Sequence, residues 1–555
     1  MKTKKNEKGL AYIAEGKQFD GADSLYFPVE KAANLFPKNT ALRFLGKNIS
    51  YKTLSEKVSE YSSCLLKAGL KKGEAVTFAL PNIPESVYLL YATQKAELRT
   101  SPLHPLSTPE AVSSAIEKTG SRIVFALGDA ARKIAERCAS ATVVAVSPAN
   151  SLGIKKLLFS LRSPLPKKSG NLIRLSDFLK NPQNTPLVSH VKICPAHQKT
   201  SVLLQSGGTT GTPKVIGLSA DSVNNLAARG MGILGKNDVT RCGMLSVLPV
   251  FHGFGLAMGV HAMLCHGGKN VLFPKFHRAS AVREIRKGNV QFVIGVPRLY
   301  EALLSHPKFA GKALRSLAVA YVGGDFVPRT LLKEYDAHIK KFGGKSRLYE
   351  GYGLTETVTV CSVNTDSANK DETVGKPLAG MEIRAFDFSG DTPRELPPNE
   401  KGELGITGDT LMQEYLSDEK STAEVFFSYN GKNYVRTGDC GYTDEEGFIH
   451  FVSRFKRIVK VKGIPVYPME IEQLAITVEG VGAACAVPLT EKPESIVLFI
   501  EGTDETLKER LKKLIREKIS IYAEPSEVFL VKSFPVTNMS KTDTNALLEL
   551  YRSAK

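Results

Sequence analysis

The spacing of apolar residues divides the chain into alternating helical and strand segments. From residue 26 to 150, the stretches 51–68 and 85–95 carry apolar side chains at helical spacing. Short apolar runs, which are typical of buried strands, occur at 75–80, 122–127 and 142–146. Strands that alternate with helices predict a mainly parallel sheet covered by helices on both faces.

The same alternation returns between residues 195 and 380, with predicted strands at 290–294 and 317–322. The stretch 242–268 lacks Lys, Arg, Asp and Glu and could be mistaken for a membrane span. Proline, histidines and several glycines interrupt it, however. We therefore expect a buried strand followed by a buried helix.

The pattern changes after residue 380. Short strands with turn residues between them, for example 402–406 and 447–452, predict a small β-barrel-like subdomain. Beyond Arg454 the pattern predicts a compact α+β unit with helices at 468–477 and 506–519 and strands at 483–487 and 496–500.

These patterns predict an α/β protein with a large N-terminal domain and a small mobile α+β C-terminal domain. The large domain is expected to hold two stacked mixed or parallel sheets with helices, plus the β-barrel-like subdomain. The expected bounds are 1–455 for the large domain (subdomains 26–194, 195–380 and 381–455) and 456–555 for the small one.

A glycine- and threonine-rich run follows the apolar residues 202–204. It comprises Ser206, Gly207, Gly208, Thr209, Thr210, Gly211, Thr212, Pro213 and Lys214. Glycines let backbone N–H groups converge on an anion, and the hydroxyls and the lysine add further donors. The run therefore indicates a phosphate-binding loop, although it is not a Walker loop because Lys214 does not directly follow a glycine. A flexible surface loop is the alternative.

Further motifs follow in order along the chain. They are Pro249–His252, Gly351–Glu356, Arg436–Asp439, Arg454–Lys456, and Pro535–Thr537 with Lys541. Together with the run at 206–214, this order resembles the adenylate-forming enzymes: acyl-CoA synthetases, luciferases and peptide-synthetase adenylation domains. The resemblance spans roughly residues 25 to 550 and is closest to fatty acid–CoA ligases.

The resemblance implies a nucleotide site on the large domain. Lys214 and the loop would hold the β- and γ-phosphates of ATP, and the turn Gly323, Gly324, Asp325 would bind adenine, on which Tyr352 would stack. Thr355 would lie near the α-phosphate, Glu356 would bind Mg²⁺, and Asp439 would accept both ribose hydroxyls, with Arg454 beside the nucleotide. Without the resemblance, Thr355–Glu356 would ordinarily be interpreted as the start of a helix, and Asp439 as part of a turn.

The resemblance also implies a moving C-terminal domain. Lys541 would bridge the attacking carboxylate and the α-phosphate during adenylation. Lys456 would be the hinge, and rotation about it would bring Lys460 and the loop at Gly463 to the site for thioester formation. His252 would line or gate the acyl entrance; as a histidine in an apolar run it could equally be a hydrogen-bonded core residue.

Several positions depart from the family pattern. They include Val215, Ser219–Ala220, Glu97–Leu98, Ser453, Arg457 and Ser540. None of them removes a charged catalytic group. They put loop geometry and substrate fit in question rather than the type of reaction.

The formal charge of +18 indicates an anionic partner. Nucleotide and CoA, a phospholipid surface and nucleic acid are the candidates; the basic residues are dispersed and no nucleic-acid motif accompanies them, so nucleic acid is not expected. Residues 151–174 contain six basic and no acidic residues and are either a solvated linker or a contact with anionic lipid. The eight cysteines show no metal spacing and no apolar leader begins the chain, so a cytoplasmic protein is expected.

The expected reaction is ATP-dependent activation of a carboxylic acid, then transfer to CoA. Loading of a carrier-protein thiol and a non-catalytic nucleotide sensor are the alternatives. No Ser/His/Asp or Cys/His arrangement is evident in the sequence, which suits a reaction that depends on positioning and cations.

The stretches expected around the acyl group, near His252 and at 296–300, 322–324 and 351–360, are apolar. This favours an apolar monocarboxylate as the substrate. Arg298 is the nearest candidate partner for a second carboxylate, and Asp325 for the ammonium group of an amino acid. The basic segment 151–174 favours fatty acids over aryl acids.

Overall fold

The computed structural model describes residues 24–151, 166, 169–187, 198–206, 214–235, 238–462, 464–489, 492–536 and 542–555. The helices in that part of the chain are α1 Phe27–Leu35, α2 Tyr51–Lys67, α3 Pro84–Lys95, α4 Pro109–Thr119, α5 Gly128–Arg137, α6 Leu175–Lys180, α7 Ala220–Leu234, α8 Ala262–Cys265, α9 Arg278–Arg286, α10 Pro297–Leu304, α11 Arg329–Lys341, α12 Glu419–Val425, α13 Pro468–Ile476, α14 Leu507–Lys518 and α15 Thr544–Ala554.

The strands of the first two sheets, apart from β20, are β1 Thr40–Phe44, β2 Lys47–Ser50, β3 Ala75–Ala79, β4 Arg99–Pro102, β5 Ile123–Leu127, β6 Thr142–Val146, β7 Leu172–Arg174, β8 Thr200–Gln205, β9 Val215–Ser219, β10 Gly243–Ser246, β11 Lys269–Leu272, β12 Phe292–Gly295, β13 Val319–Val322, β14 Leu348–Gly353, β15 Val360–Val363 and β16 Lys376–Pro377. The later strands are β17 Met381–Asp387, β18 Arg394–Glu395, β19 Gly402–Gly408, β20 Glu414–Tyr415, β21 Phe426–Tyr429, β22 Lys432–Thr443, β23 Ile449–Arg454, β24 Val459–Val461, β25 Ile464–Val466, β26 Ala484–Leu489, β27 Lys492–Glu501 and β28 Glu527–Val531.

Two large sheets exchange strands from distant parts of the chain. The order β16-β15-β14-β13-β12-β10-β11-β1-β2 forms one sheet, and β20-β9-β8-β4-β3-β5-β6-β7 forms the other. Most neighbours in the middle of each sheet are parallel, as the alternation of strands and helices predicts. Strands β1 and β2 precede residue 194 but belong to the sheet of the later strands β10–β16, whereas β8 and β9 follow residue 194 but belong to the sheet of the earlier strands β3–β7. The two sheets therefore do not correspond to chain segments that divide at residue 194. The three subdomain bounds remain a proposal.

A single apolar core joins the two sheets. Alternate residues of β13 show this: Val319 and Tyr321 face the shared core, whereas Ala320 and Val322 face the outer helices α9–α11. Helix α3 lies inside the shared core, with every residue from Pro84 to Gln94 buried. This buried layer explains why the hydrophobic strands read as continuous apolar runs.

The uncharged stretch 242–268 forms a buried strand and a buried helix, as expected from the sequence. Strand β10 comes first, and an unusual π-helical segment at Phe254–His261 leads into α8. π-Helical turns concentrate at functional sites, and this one begins two residues after His252. Among the described residues, no helix is long and apolar enough to cross a membrane.

The later strands form smaller units. Strands β17–β19 and β21–β23 make a six-stranded antiparallel sheet, the expected barrel-like subdomain. Beyond it, the hairpin β24–β25 and the three-stranded sheet β26-β27-β28 pack with α13, α14 and α15 as the expected α+β unit. The predicted fold class is confirmed.

Candidate active site

The two ends of the phosphate-loop run are joined by a pair of hydrogen bonds. The backbone N–H of Ser206 donates to the carbonyl of Lys214 (2.8 Å), and the N–H of Lys214 donates to Oγ of Ser206 (3.0 Å). Strands β8 and β9 run antiparallel on either side and hold these ends together. Gly207, Gly208, Thr209, Thr210 and Gly211 lie outside the described residues.

Tyr415 connects Lys214 of the expected phosphate loop to the expected magnesium ligand Glu356. Its hydroxyl donates to Oε1 of Glu356 (2.8 Å), and the ammonium group of Lys214 lies 4.6 Å from the centre of its ring. Strand β20 carries Tyr415 to this position by pairing with β9. Sequence reasoning missed this residue, since one tyrosine in a polar stretch gives no signal until β20 is paired.

We expect Tyr415→Phe to weaken magnesium-dependent catalysis while leaving the fold intact. The variant keeps the ring beside Lys214 but loses a hydrogen bond to a carboxylate, so the adenylation rate should fall about tenfold. Magnesium titrations of pyrophosphate release would measure this. Tyr442→Phe is the matched control, because the ring of Tyr442 stacks on His450 (4.4 Å between centres) away from this carboxylate. Equal effects of the two variants would contradict the assignment.

The buried Asp439 and the half-buried Tyr352 form a hydrogen-bonded pair. The hydroxyl of Tyr352 donates to Oδ2 of Asp439 (2.6 Å), and Oδ1 of Asp439 lies 3.1 Å from Nε of Arg454, its partner across β22 and β23. Burial raises the pKa of the Asp439 carboxyl despite the opposing effect of Arg454, and burial also raises the pKa of Tyr352.

The contact with Arg454 does not have hydrogen-bond geometry. Oδ1 of Asp439 therefore has no hydrogen-bond donor from the described part of the chain, although it is buried. A buried carboxylate oxygen without a donor is costly. The hydroxyl groups of a ribose would supply what this oxygen lacks, so the residues fit the nucleotide that the sequence predicts.

Arg436 supports the turn that presents Asp439. Its guanidinium donates to Oε2 of Glu403 (2.6 Å), and Oε1 of Glu403 accepts from the N–H of Gly438 (3.1 Å). Gly438 has a φ of 69°, which favours glycine. In the Arg436–Asp439 motif, the arginine thus holds the turn, and the aspartate accepts a hydrogen bond from Tyr352.

The turn Gly323, Gly324, Asp325 follows β13, next to β14, which carries Tyr352. A side chain at Gly323 would place its Cβ 2.6 Å from the carbonyl oxygen of Gly351, so only glycine fits. Gly324 has a φ of 80°, and the exposed Asp325 accepts from the N–H of Phe326 (2.9 Å). The carboxyl ends of two parallel strands thus converge where the sequence predicts adenine.

Thr355 and Glu356 lie on a short 3₁₀ turn, Thr355–Thr357, directly after β14. The carbonyl of Glu356 accepts from the N–H of Met412 (2.7 Å), which ties this turn to the segment before β20. Among the described residues no group of three or more His, Cys, Asp or Glu side chains could hold a metal. The carboxylate of Glu356, which the resemblance assigns to Mg²⁺, is of the ligand type that binds this ion together with substrate phosphates.

His252 is half-buried beside this turn. Its ring lies 4.7 Å from that of Phe251, which in turn contacts His104 at 4.8 Å between ring centres. The neighbouring Gly253 touches the chain just after Glu356: a Cβ there would lie 1.7 Å from the carbonyl oxygen of Val358. The structure thus brings His252 next to the 3₁₀ turn, which is compatible with a place at the acyl entrance.

A cysteine, a histidine and an asparagine meet in the core. Nε2 of His261 lies 3.3 Å from Sγ of Cys265 and 2.8 Å from Oδ1 of Asn224. Burial raises the pKa of the thiol well above its usual value and lowers the pKa of His261 to about 3, which favours the neutral form of both groups. Because a nucleophilic cysteine must ionise, this cluster is structural.

The residues at the expected hinge are held from both sides. Arg454 contacts Asp439, while Arg457 pairs with the buried Glu472 of α13 and donates to the carbonyl of Ala486 (3.3 Å). The pKa of Arg457 is raised, because burial is outweighed by Glu472. Lys456 is exposed between them on the 3₁₀ turn Phe455–Arg457.

Three more expected site residues belong to the C-terminal unit. Lys460 is exposed on β24. Gly463 and Lys541 lie outside the described residues. Lys401 links the two units through Glu470 (3.2 Å) and lies over the ring of Tyr467.

Two protein-family profiles match the chain. The profile described as AMP-binding enzyme matches residues 29–416, and the profile described as AMP-binding enzyme C-terminal domain matches residues 470–541. The chain belongs to the AMP-binding enzyme family. The expectation of an adenylate-forming enzyme is therefore confirmed.

Individual relatives of the family resemble the chain over nearly its whole length. A long-chain-fatty-acid–CoA ligase of Bacillus subtilis (strain 168) is 27% identical over 535 residues, covering 93% of each chain. A 4-coumarate–CoA ligase 3 of Arabidopsis thaliana is 25% identical, covering 89% of this chain and 85% of that protein. The crystal structure of ATP-bound MatB from Rhodopseudomonas palustris matches with a TM-score of 0.79 at 21% identity, covering 96% and 99%, and shows the shared fold.

Proposed function

We propose that this chain is an ATP-dependent carboxylic acid–CoA ligase. The substrate carboxylate attacks the α-phosphorus of ATP, the bond to the β-phosphate oxygen breaks, and pyrophosphate leaves. The thiolate of CoA then attacks the acyl carbonyl, and AMP leaves with the electrons of the acyl–oxygen bond. The observation that carries the proposal is the buried Asp439, whose Oδ1 lacks a hydrogen-bond donor from the described residues and lies beside Tyr352.

The chain's own groups divide the work of the first step. Asp439 accepts the ribose hydroxyls, and Tyr352 stacks on adenine beside the Gly323–Asp325 turn. Lys214 and the loop that begins at Ser206 bind the β- and γ-phosphates, and Thr355 lies at the α-phosphate. Magnesium bound at Glu356 would neutralise phosphate charge.

The C-terminal unit, residues 456–555, serves both steps in this proposal. Lys541 stabilises the charge that develops on the α-phosphate during adenylation. Rotation about Lys456 then removes Lys541 and brings Lys460 and the Gly463 loop to the site. The pairs of Arg454 and Arg457 restrict that rotation to the residues between them.

For the acid, we propose a medium- or long-chain fatty acid. Relatives that act on a fatty acid and on coumarate resemble the chain about equally, so the preference rests on the sequence. The stretches expected around the acyl group near His252 are apolar, and Val322 and Val360 within them are buried. The basic segment 151–174, of which residues 152–165 and 167–168 lie outside the described residues, would contact anionic lipid.

A screen of pyrophosphate release tests the proposal. It would cover acids from acetate to C18, benzoates and cinnamates, each with CoA, with a carrier protein and with neither. Turnover stimulated by CoA on a fatty acid is the expected result. If kcat/KM is highest for an aryl acid, the fatty-acid assignment is wrong. If turnover occurs only with a carrier protein, the CoA assignment is wrong. If no pyrophosphate forms under any condition, the proposed ligase activity is wrong.

Lipid contact needs its own measurement. Neutralising Lys155, Lys156, Arg162, Lys167 and Lys168 together should reduce sedimentation with phosphatidylglycerol vesicles but not with phosphatidylcholine vesicles. Unchanged binding to the anionic vesicles would overturn this contact.

A further inference from the structure

Val358 adopts a backbone conformation that is rare for a β-branched residue. Its φ is 65° and its ψ is −57°. The N–H of Thr359 donates to the carbonyl of Thr357 (2.8 Å), which closes a γ-turn centred on Val358. Steric repulsion disfavours a positive φ for a side chain branched at Cβ, so this turn is strained.

The surrounding structure enforces the turn. The side chain of Val358 is fully buried in the core shared by the two large sheets. Its carbonyl points at Gly253, where a Cβ would lie 1.7 Å from the oxygen. On the other side, the Thr357 hydroxyl donates to the carbonyl of Leu354 (3.0 Å) and closes the preceding 3₁₀ turn.

The turn thereby joins two parts of the proposed active site. Gly253 directly follows His252 at the proposed acyl entrance, and the 3₁₀ turn carries Thr355 and Glu356. The contact between Val358 and Gly253 sets the separation of these two segments. Strained residues persist where the surrounding structure over-determines them, and they concentrate at functional sites.

We propose that Val358 is a positioning residue for adenylation. Its buried side chain and strained turn hold Thr355 and Glu356, on the phosphate side, at a fixed distance from His252, on the acyl side. This inference rests on the proposed function for its reaction. A shift of about 1 Å between reacting groups can cost about 10²-fold in rate, so a small relaxation of this turn is enough to matter.

Val358→Gly separates a positioning role from a structural one. Glycine accepts a positive φ, so strain is relieved while packing is lost, and the two effects on stability oppose each other. We expect the melting temperature to change little. The adenylation kcat in ATP–pyrophosphate exchange should fall about tenfold or more, with KM for ATP nearly unchanged because Asp439 and Tyr352 are untouched.

Leu45→Gly is the matched control. Leu45 is exposed between β1 and β2, and it also has a positive φ, of 47°. This substitution also relieves a positive φ, but between β1 and β2, which lie at the opposite end of the sheet from β14, so kcat should stay unchanged. Gly253→Ala disturbs the same contact from the other side, since its Cβ meets the Val358 carbonyl, and it should lower kcat as Val358→Gly does.

A binding measurement keeps this inference separate from the reaction. Calorimetric titration of Mg²⁺ in the presence of ATP should give a midpoint about tenfold higher in Val358→Gly, because loosening a supporting group weakens metal binding. If the parent chain forms no pyrophosphate with any acid, the proposed function fails, and this titration still tests whether Val358 positions Glu356. A kcat and a Mg²⁺ midpoint both within about twofold of the parent, or losses that only follow the fraction unfolded, would overturn the positioning role.

Discussion

Asp439→Ala is expected to lower kcat/KM for ATP by about 10²–10³-fold. The variant removes two carboxylate oxygens that would each accept a ribose hydroxyl, and hydrogen bonds to a charged group contribute about 1.5–3 kcal/mol each. Asp439→Asn keeps one acceptor and should lose less. Initial rates of pyrophosphate release at varied ATP concentration, with the acid saturating, would measure both variants.

Tyr352→Phe is the control for Asp439. It removes the hydroxyl that donates to Oδ2 of Asp439 but keeps the ring that would stack on adenine. Its effect on kcat/KM should therefore be several-fold smaller. If Asp439→Ala retains kcat/KM for ATP to within about threefold, ribose binding by this carboxylate is refuted.

The same carboxylate predicts a pH dependence. Burial raises the pKa of Asp439, and only the ionised form accepts both hydroxyl groups. The affinity for ATP should therefore be highest at pH values above this raised pKa and should fall as the pH drops through it. Asp439→Asn has no such group, so its kcat/KM for ATP should lose this acid limb.

Lys541→Ala and Lys456→Pro should impair opposite half-reactions. Loss of Lys541 should cost about 2–4 kcal/mol of transition-state stabilisation, or about 10²–10³ in the adenylation rate. It should barely affect thioester formation from supplied acyl-adenylate. Lys456→Pro should slow thioester formation instead, because proline fixes φ in the short turn between Arg454 and Arg457.

Lys456→Ala controls for the side chain, since it removes the exposed ammonium group and keeps backbone freedom. It should resemble the parent in both half-reactions. Single-turnover assays with ATP plus acid, and separately with acyl-adenylate plus CoA, would measure the two steps. If Lys541→Ala and Lys456→Pro slow the same step, the proposed rotation about Lys456 does not occur in this protein.

Local pattern predicted most of the elements and the family. The strand predicted at 142–146 is Thr142–Val146, and the helix predicted at 468–477 is Pro468–Ile476. Such elements follow from side-chain periodicity, which is a property of neighbouring residues. The ordered motifs indicated the adenylate-forming family without any knowledge of the fold.

The arrangement of the candidate site depends on contacts between residues that are far apart in the chain. The pair Tyr352 and Asp439 is separated by 87 positions, and Tyr415 and Glu356 by 59. The sequence suggested nucleotide contacts for Tyr352 and Asp439 one by one, but not their hydrogen bond to each other. Nothing in the sequence marked Tyr415, because its position depends on the pairing of β20 with β9.

The sequence by itself therefore determined the α/β fold class, the order of most elements, the family and the residue types for binding a nucleotide. The tertiary structure decided how strands exchange between the two sheets, which oxygen of Asp439 lacks a donor, and why Val358 is strained. It also showed that Arg436 holds a turn and that Cys265 and His261 are buried together in the core. Periodicity and motif order are local, whereas burial, strand pairing and backbone strain arise only when distant segments pack together.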